Sequence, residues 1–194
     1  MTEDTKKIIQ SMAYLAAHQP HNTIDNMKAY KLLWLADRYH LRKYGRTITG
    51  DAYYAMPFGI VPSDAKCLLE NKKTKMSNPS GYKNKYIASV NSHQFKAIAE
   101  PDLNIFSDSD QNALDLVLDV FGHLDAHQLS ELSHHFPEWL HYKDLLEDEN
   151  AKNSYKIDPD LFFENASVDS KGVFDDTPEL LNLTKELFHQ YSHT

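Results

Sequence analysis

The apolar residues of this chain recur mostly with the 3.6-residue period of an amphipathic α-helix. The pattern predicts a first helix over about Thr5–His18, which a proline stops. A longer helix follows, capped by Asn22 or Thr23 and ended by Gly45 at the C′ position. Within it, residues 32–36 are apolar on nearly every face, so we expect this helix to lie at the centre of the core.

The middle of the chain carries the short apolar runs and turn residues that are typical of β-strands. A short helix begun by Ser63 and a mobile loop rich in Lys, Asn, Ser, Gly and Pro are also predicted there. The strands are residues 52–56, 86–90 and 94–99, the last two joined by a hairpin at 91–93; the helix is 63–69 and the loop 71–85.

Helical periodicity returns in the second half of the chain, with clear start signals. These signals are Ser107 or Asp108 for one helix, the capping-box pair Asp125 and Gln128 for another, and Pro137 in the first turn of a third. Residues 147–176 are predicted to form an ordered but irregular connection before a last helix near Pro178. The predicted fold class is therefore mainly α with a small inserted antiparallel β element (α+β), in a single compact helical domain.

Composition narrows the class of protein. With 194 residues, 41% hydrophobic and 25% charged, the chain can bury a core without disulfides or a structural metal. Its single cysteine, Cys67, fits a reducing compartment, and the acidic start at residues 1–4 does not resemble an export signal. No run approaches the roughly 20 apolar residues of a transmembrane helix. We therefore expect a cytoplasmic protein with no membrane partner.

The net charge of −8 is divided unevenly along the chain. Residues 1–99 carry 15 Lys and Arg against 7 Asp and Glu, a balance of +8. Residues 100–194 carry 5 against 21, a balance of −16. Either the two halves attract each other within one fold, or the acidic half is a docking surface for a basic partner.

The chemically reactive residue types form no catalytic or metal-binding motif. His123 and His127 are separated by a predicted helix start, and adjacent His134 and His135 point about 100° apart on a helix, which disfavours a shared metal. Cys67 lies in a short amphipathic helix, where a thiol is more often a small hydrophobe than a nucleophile. Phosphate-binding loops and nucleophile elbows are also absent. We therefore predict neither an enzyme nor a cofactor or metal site.

Basic and aromatic residues are interleaved around the end of the long helix and the first strand. One interpretation is a nucleic-acid surface, and the other is a set of helix-end cations beside a solvated lysine loop. Aromatic, Met and Arg side chains are also enriched in protein–protein hot spots, particularly if the first strand lies at a sheet edge. The inferred partner-binding residues are Arg38, Tyr39, Arg42, Tyr53, Tyr54, Met56 and Phe58.

Residues 31–40, 44–51 and 53–62 together resemble the signature of the Panacea domain, the SocA-like antitoxin domain of bacterial and phage toxin–antitoxin pairs. Residues 107–110, 121–122 and 129–139 are similar to its second half, so the likeness covers roughly residues 5–145. Ile60 stands where the family usually has proline. We therefore divide the chain into a Panacea-like domain at 1–146 and a C-terminal extension at 147–194.

The resemblance implies an antitoxin that neutralises a cognate protein toxin, encoded by the adjacent gene, by direct and non-catalytic binding. Toxins paired with this domain are membrane-active, translation-blocking or alarmone-making. Two alternatives remain, a nucleic-acid-binding operon repressor and an adaptor that delivers the toxin to a protease. A homo-oligomer is also compatible with the sequence. The family supplies no catalytic residues, so the partner-binding residues above rest on their chemistry alone.

Overall fold

A long central helix organises the fold, and the other elements surround it. The computed structural model describes residues 1–72, 79–148, 150–167 and 172–192. Its helices are α1 (Glu3–Ala17), α2 (Asn26–Tyr44), α3 (Ser63–Leu69), α4 (Ser80–Tyr86), α5 (Asp108–Phe121), α6 (Ala126–Ser133), α7 (Pro137–Leu140), α8 (Lys143–Glu147) and α9 (Pro178–Ser192). Its strands are β1 (Thr23–Asp25), β2 (Tyr53–Met56), β3 (Gly59–Pro62), β4 (Ile87–Ser89), β5 (Gln94–Ala97) and β6 (Tyr155–Lys156). The predicted α+β class, mainly helical with small antiparallel sheets, is confirmed.

Helix α2 is the centre of the core, as its apolar sequence predicted. It contacts α1, α5, α6, α9 and β3, and residues 32–36 have no exposed surface. The helix begins later than predicted, because Thr23–Asp25 forms β1 and the Asp25 carboxylate accepts hydrogen bonds from the backbone N–H groups of Met27 and Lys28. The predicted cap at Asn22 or Thr23 is therefore wrong. The C′ glycine is confirmed, since Gly45 adopts φ 69° in the left-handed region.

Two three-stranded antiparallel sheets pack beside α2, in the orders β1–β5–β4 and β3–β2–β6. The predicted hairpin is confirmed as β4 and β5. Strand β2 is the middle strand of its sheet, because Tyr54 pairs with Val61 of β3 on one side and Lys156 of β6 on the other. The hypothesis of an open β2 edge for a partner strand is therefore wrong. It failed because the two-residue strand β6 lies in a segment without strand periodicity.

The predicted loop at residues 71–85 is partly helical. Residues 73–78 lie outside the described residues, but Ser80–Tyr86 forms α4, which corrects the prediction. Lys83 explains the difference, because its ammonium donates hydrogen bonds to the carbonyl of Leu68 and the side chain of Asn71. This tertiary anchor outweighs the low helix propensity of the segment.

The second half follows its local start signals closely. Ser107 and Asp110 form a capping box on α5, Asp125 and Gln128 form one on α6, and Pro137 opens α7. After residue 147 the chain adds β6 and a 3₁₀ turn at Pro159–Phe163, and α9 then contacts α2. Among the described residues, no helix has the length and apolar character needed to cross a membrane.

Candidate functional site

The turn between β2 and β3 displays a prominent exposed aromatic residue. Strand β2 ends at Met56 and β3 begins at Gly59, so Pro57 and Phe58 form a two-residue connection. We call residues 56–59 the hairpin tip. Phe58 is 74% exposed, whereas the buried positions of the same strands point into the core. Aromatic residues and Met are enriched in the cores of protein interfaces, so Phe58, next to partly exposed Met56 on an ordered turn, is a candidate contact residue.

Side chains of two helices, α2 and α7, hydrogen-bond the backbone of the hairpin tip. The ammonium of Lys31 on α2 donates hydrogen bonds to the carbonyls of Phe58 and Ile60, each over 2.7 Å. The indole Nε1 of Trp139 on α7 donates to the carbonyl of Met56 over 2.9 Å. Two carbonyls of the hairpin tip and that of the next residue, Ile60, thus accept hydrogen bonds from protein side chains, which fixes the tip in position.

Gly59 allows these contacts because only glycine fits there. Its φ of 91° disfavours any side chain, and a Cβ would lie 1.9 Å from Ser133 Oγ and 2.7 Å from Lys31 Nζ. Lys31 has no exposed surface, and burial lowers the pKa of its ammonium to about 7. A lysine so deeply buried is tolerated because the two carbonyls accept its hydrogen bonds.

The sides of the hairpin tip are lined by side chains of mixed polarity. His134, at the end of α6, hydrogen-bonds the backbone of Pro57 and stacks on Trp139 with ring centres 4.1 Å apart. Lys66 Nζ lies 4.0 Å from the sulfur of Met56, and Leu140 is 44% exposed. Sequence reasoning missed Lys31 and Trp139, although a lysine directly before the apolar run at residues 32–36 is itself a sign of a buried ammonium.

The structure brings the inferred partner-binding residues together only in part. Tyr54 and Met56 are partly exposed on the outer face of β2, beside Phe58. Tyr39 is partly exposed on α2, and Lys43 Nζ lies 5.7 Å from its ring centre. Tyr53 points inward and donates a hydrogen bond to Asp37 over 2.7 Å. The aromatic run thus alternates, with one tyrosine in the core and the next outside.

Two cations of the predicted basic surface at the end of α2, Arg38 and Arg42, are fully buried. Arg38 Nε donates to Glu138 over 2.8 Å, and its guanidinium carbon lies over the rings of Phe136 and Phe174, 4.9 and 4.6 Å from their centres. Placing both arginines on the surface was therefore wrong. Their partners Glu138 and Asp176 lie 100 and 134 residues further along the chain, so the local sequence does not identify these counter-ions.

Arg42 is the anchor of the C-terminal extension. Its guanidinium donates to the carboxylate of Asp176, the side chain of Asn165 and three backbone carbonyls. Those carbonyls belong to Phe162, Glu164 and Phe174. A single buried guanidinium therefore holds residues 162–165 and 174–176 against α2, with its donors satisfied in several directions.

Five cations of the basic first half pair with three buried carboxylates of the acidic second half. Lys7 and Arg46 pair with Asp110, Arg38 pairs with Glu138, and Arg42 and Lys43 pair with Asp176. Each of these pairs joins a cation of the first half to a carboxylate of the second half that is at most 1% exposed. The interpretation that the halves attract each other is confirmed for these residues.

Two further buried carboxylates, those of Asp37 and Asp51, fix the backbone on either side of the β2–β3 hairpin. Asp37 accepts hydrogen bonds from Ile48, Thr49 and Tyr53, and burial raises its pKa to about 6. Asp51 accepts from the first N–H groups of α3, and burial raises its pKa to about 7. Asp51, rather than the predicted Ser63, therefore caps α3.

The candidate reactive groups are placed in structural roles. Burial raises the pKa of the Cys67 thiol, which disfavours its nucleophilic form. His40 is buried, and its Nε2 faces both Ser109 Oγ at 2.9 Å and Asp110 at 3.2 Å, while Nδ1 bonds a backbone carbonyl. A catalytic triad needs the acid on the other ring nitrogen.

Within the described ranges, no group of three or more His, Cys, Asp or Glu is placed to hold a metal ion.

The arrangement of α2, the hairpin tip and α5–α7 belongs to a recognised domain. The family model described as antitoxin SocA-like, Panacea domain, matches residues 30–140. This match spans more than half of the chain, so the chain belongs to the SocA-like Panacea antitoxin family, as its sequence resemblance predicted. Searches of curated proteins and of solved structures find no match.

Proposed function

We propose that this chain is the antitoxin of a toxin–antitoxin pair and neutralises its cognate protein toxin in the cytoplasm by direct, non-catalytic binding. Membership of the antitoxin family carries the proposal. An antitoxin that acts by binding needs a stable surface and no reacting groups. The hairpin tip, with exposed Phe58 on a backbone fixed by Lys31 and Trp139, is such a surface.

The burial of Arg38 and Arg42 argues against the nucleic-acid alternative. Both cations belong to the basic surface that the sequence suggested as phosphate-binding, and both donate to internal acceptors. Nucleic-acid binding depends on cations that reach the phosphates. Direct protein binding therefore accounts better for the geometry than repression of an operon.

Co-expression with the product of the adjacent open reading frame tests the proposal. Each protein is placed under its own inducible promoter, and growth is followed after induction of either or both. We expect the neighbour alone to arrest growth and this protein to restore it. A neighbour that is harmless alone, or that stays lethal beside this protein, would refute the antitoxin role.

The abundance of the toxin separates neutralisation by binding from delivery to a protease. We expect the tagged neighbour to accumulate to the same level with and without this protein, and to co-elute with it in size-exclusion chromatography. A fall in toxin level that disappears in a protease-deficient host would instead establish the adaptor mechanism.

A further inference from the structure

We infer that the hairpin tip is the anchor of the antitoxin–toxin interface, with the ring of Phe58 inserted into an apolar pocket on the cognate toxin. The inference rests on the proposed function and names the surface that performs it. Phe58 is 74% exposed, while its own carbonyl is bound by the buried ammonium of Lys31. The side chain of Phe58 is therefore exposed although its backbone is fixed by a hydrogen bond.

The chemistry of the hairpin tip specifies an apolar occupant. The carbonyls of Met56, Phe58 and Ile60 are already paired with Trp139 or Lys31, and Pro57 has no backbone N–H to offer. The outward surface of the turn is thus the Phe58 ring and the exposed proline. A partner gains most by covering these groups with a concave apolar surface, because few new hydrogen bonds can form here.

The rigidity of the hairpin tip favours a tight contact. Binding costs free energy when loops and side chains must be ordered, and a contact residue on a fixed backbone avoids much of that cost. The backbone of Gly59 packs so closely that an added Cβ would lie 1.9 Å from Ser133 Oγ, and the adjacent carbonyl of Phe58 is bound by Lys31. Aromatic anchors on pre-organised backbones are the residues that dominate protein interfaces.

Two substitutions at exposed aromatic positions give a matched test. Phe58→Ala removes the anchor, whereas Tyr191→Ala removes an aromatic ring that is 72% exposed on α9. Both purified variants and the wild type are titrated with the purified product of the adjacent open reading frame, and growth rescue is measured in parallel. Thermal melting of each variant checks that the fold is retained.

We expect Phe58→Ala to weaken toxin binding at least 30-fold and to abolish growth rescue, since hot-spot residues contribute effects of this size. Tyr191→Ala should change the dissociation constant less than twofold, and both variants should melt within a few degrees of the wild type. Phe58→Trp, which keeps an apolar ring, should retain rescue. Binding should also weaken less than about threefold between low and high salt.

The inference would be overturned if Phe58→Ala binds the toxin within threefold of the wild type. It would also fail if the wild type elutes as a dimer that Phe58→Ala converts to a monomer, because the occupant of the tip would then be a second copy. If toxin binding weakens steeply with salt and Phe58→Ala leaves it unchanged, the interface would instead lie on the acidic half of the chain, residues 100–194. In each of these cases wild-type rescue still supports the antitoxin role, whereas loss of wild-type rescue refutes that role itself.

Discussion

Replacing Glu138 with glutamine isolates the contribution of a buried charge to the stability of this fold. Glu138 is fully buried, and its Oε1 accepts hydrogen bonds from Arg38 Nε over 2.8 Å and Trp34 Nε1 over 3.1 Å. Glutamine keeps the shape and one acceptor but removes the negative charge. The buried Arg38 guanidinium, which lies over two phenylalanine rings, then loses the carboxylate that pairs with it at 2.8 Å.

Removing one partner of a buried ion pair typically lowers the free energy of unfolding by about 3–5 kcal/mol, because the other charge stays buried and uncompensated. In a domain of this size, about 1 kcal/mol corresponds to a shift of roughly 2–4 °C in Tm. We therefore expect Glu138→Gln to lower Tm by about 6–20 °C. Urea unfolding followed by tryptophan fluorescence measures the change directly, since Trp34 donates to the substituted group.

The control is Glu131→Gln, which neutralises an exposed acid on α6 and should change the free energy of unfolding by less than about 0.5 kcal/mol. The double variant Arg38→Met/Glu138→Leu should be more stable than Glu138→Gln, because it replaces both charges with apolar groups. A loss below about 1 kcal/mol for Glu138→Gln, with an unchanged urea m-value, would refute the assignment of a buried charged pair.

Three other substitutions test the hairpin tip and a helix cap. Gly59→Ala should lower the free energy of unfolding by about 1–3 kcal/mol, whereas Gly81→Ala, where a Cβ meets open space, should not; urea titration of both decides. Because burial lowers the pKa of Lys31 to about 7, the folded state binds fewer protons than the unfolded chain from about pH 7 up to pH 10.5. Wild-type stability should therefore gain up to about 1.4 kcal/mol per pH unit across that window relative to Lys31→Met, and a pH-independent difference would contradict this reasoning. Ser107→Ala removes the capping box of α5 and should cost about 1 kcal/mol in the same assay, with an unchanged midpoint counting against the cap.

Elements set by neighbouring residues were predictable from the sequence. The capping boxes at Ser107 and Asp125 and the glycine after α2 depend on contacts within a few residues, and they form as predicted. Strand β1 was missed because its partner β5 lies about 70 residues away, and three polar-flanked residues carry no period of their own. Distant pairing, rather than local preference, decides the conformation there.

The burial of Arg38 and Arg42 was indicated by the sequence, although the prediction placed both on the surface. The apolar run at residues 32–36 predicted that α2 is surrounded on all sides. A helix enclosed in this way must also enclose the charged residues that follow in the next turn, unless it ends first. Arg38 and Arg42 lie within α2 and have no exposed surface, so the two observations together predict internal counter-ions. The identity of those counter-ions, Glu138 and Asp176, needed the structure.

The hydrogen bond between Arg42 and Asp176 also limits how early during synthesis the chain can complete its native fold. The two residues are 134 positions apart, and the hydrogen-bond acceptors of the guanidinium that the structure describes lie in residues 162–165 and 174–176. At roughly 5–20 residues per second, a ribosome needs on the order of 7–27 seconds to add that length of chain. Until then α2 carries an unmatched cation destined for the interior. The core around α2 is therefore incomplete until residue 176 has been added. A chain that stops before this residue leaves the Arg42 guanidinium without its carboxylate, and we expect proteases to cleave such a chain faster than the full one.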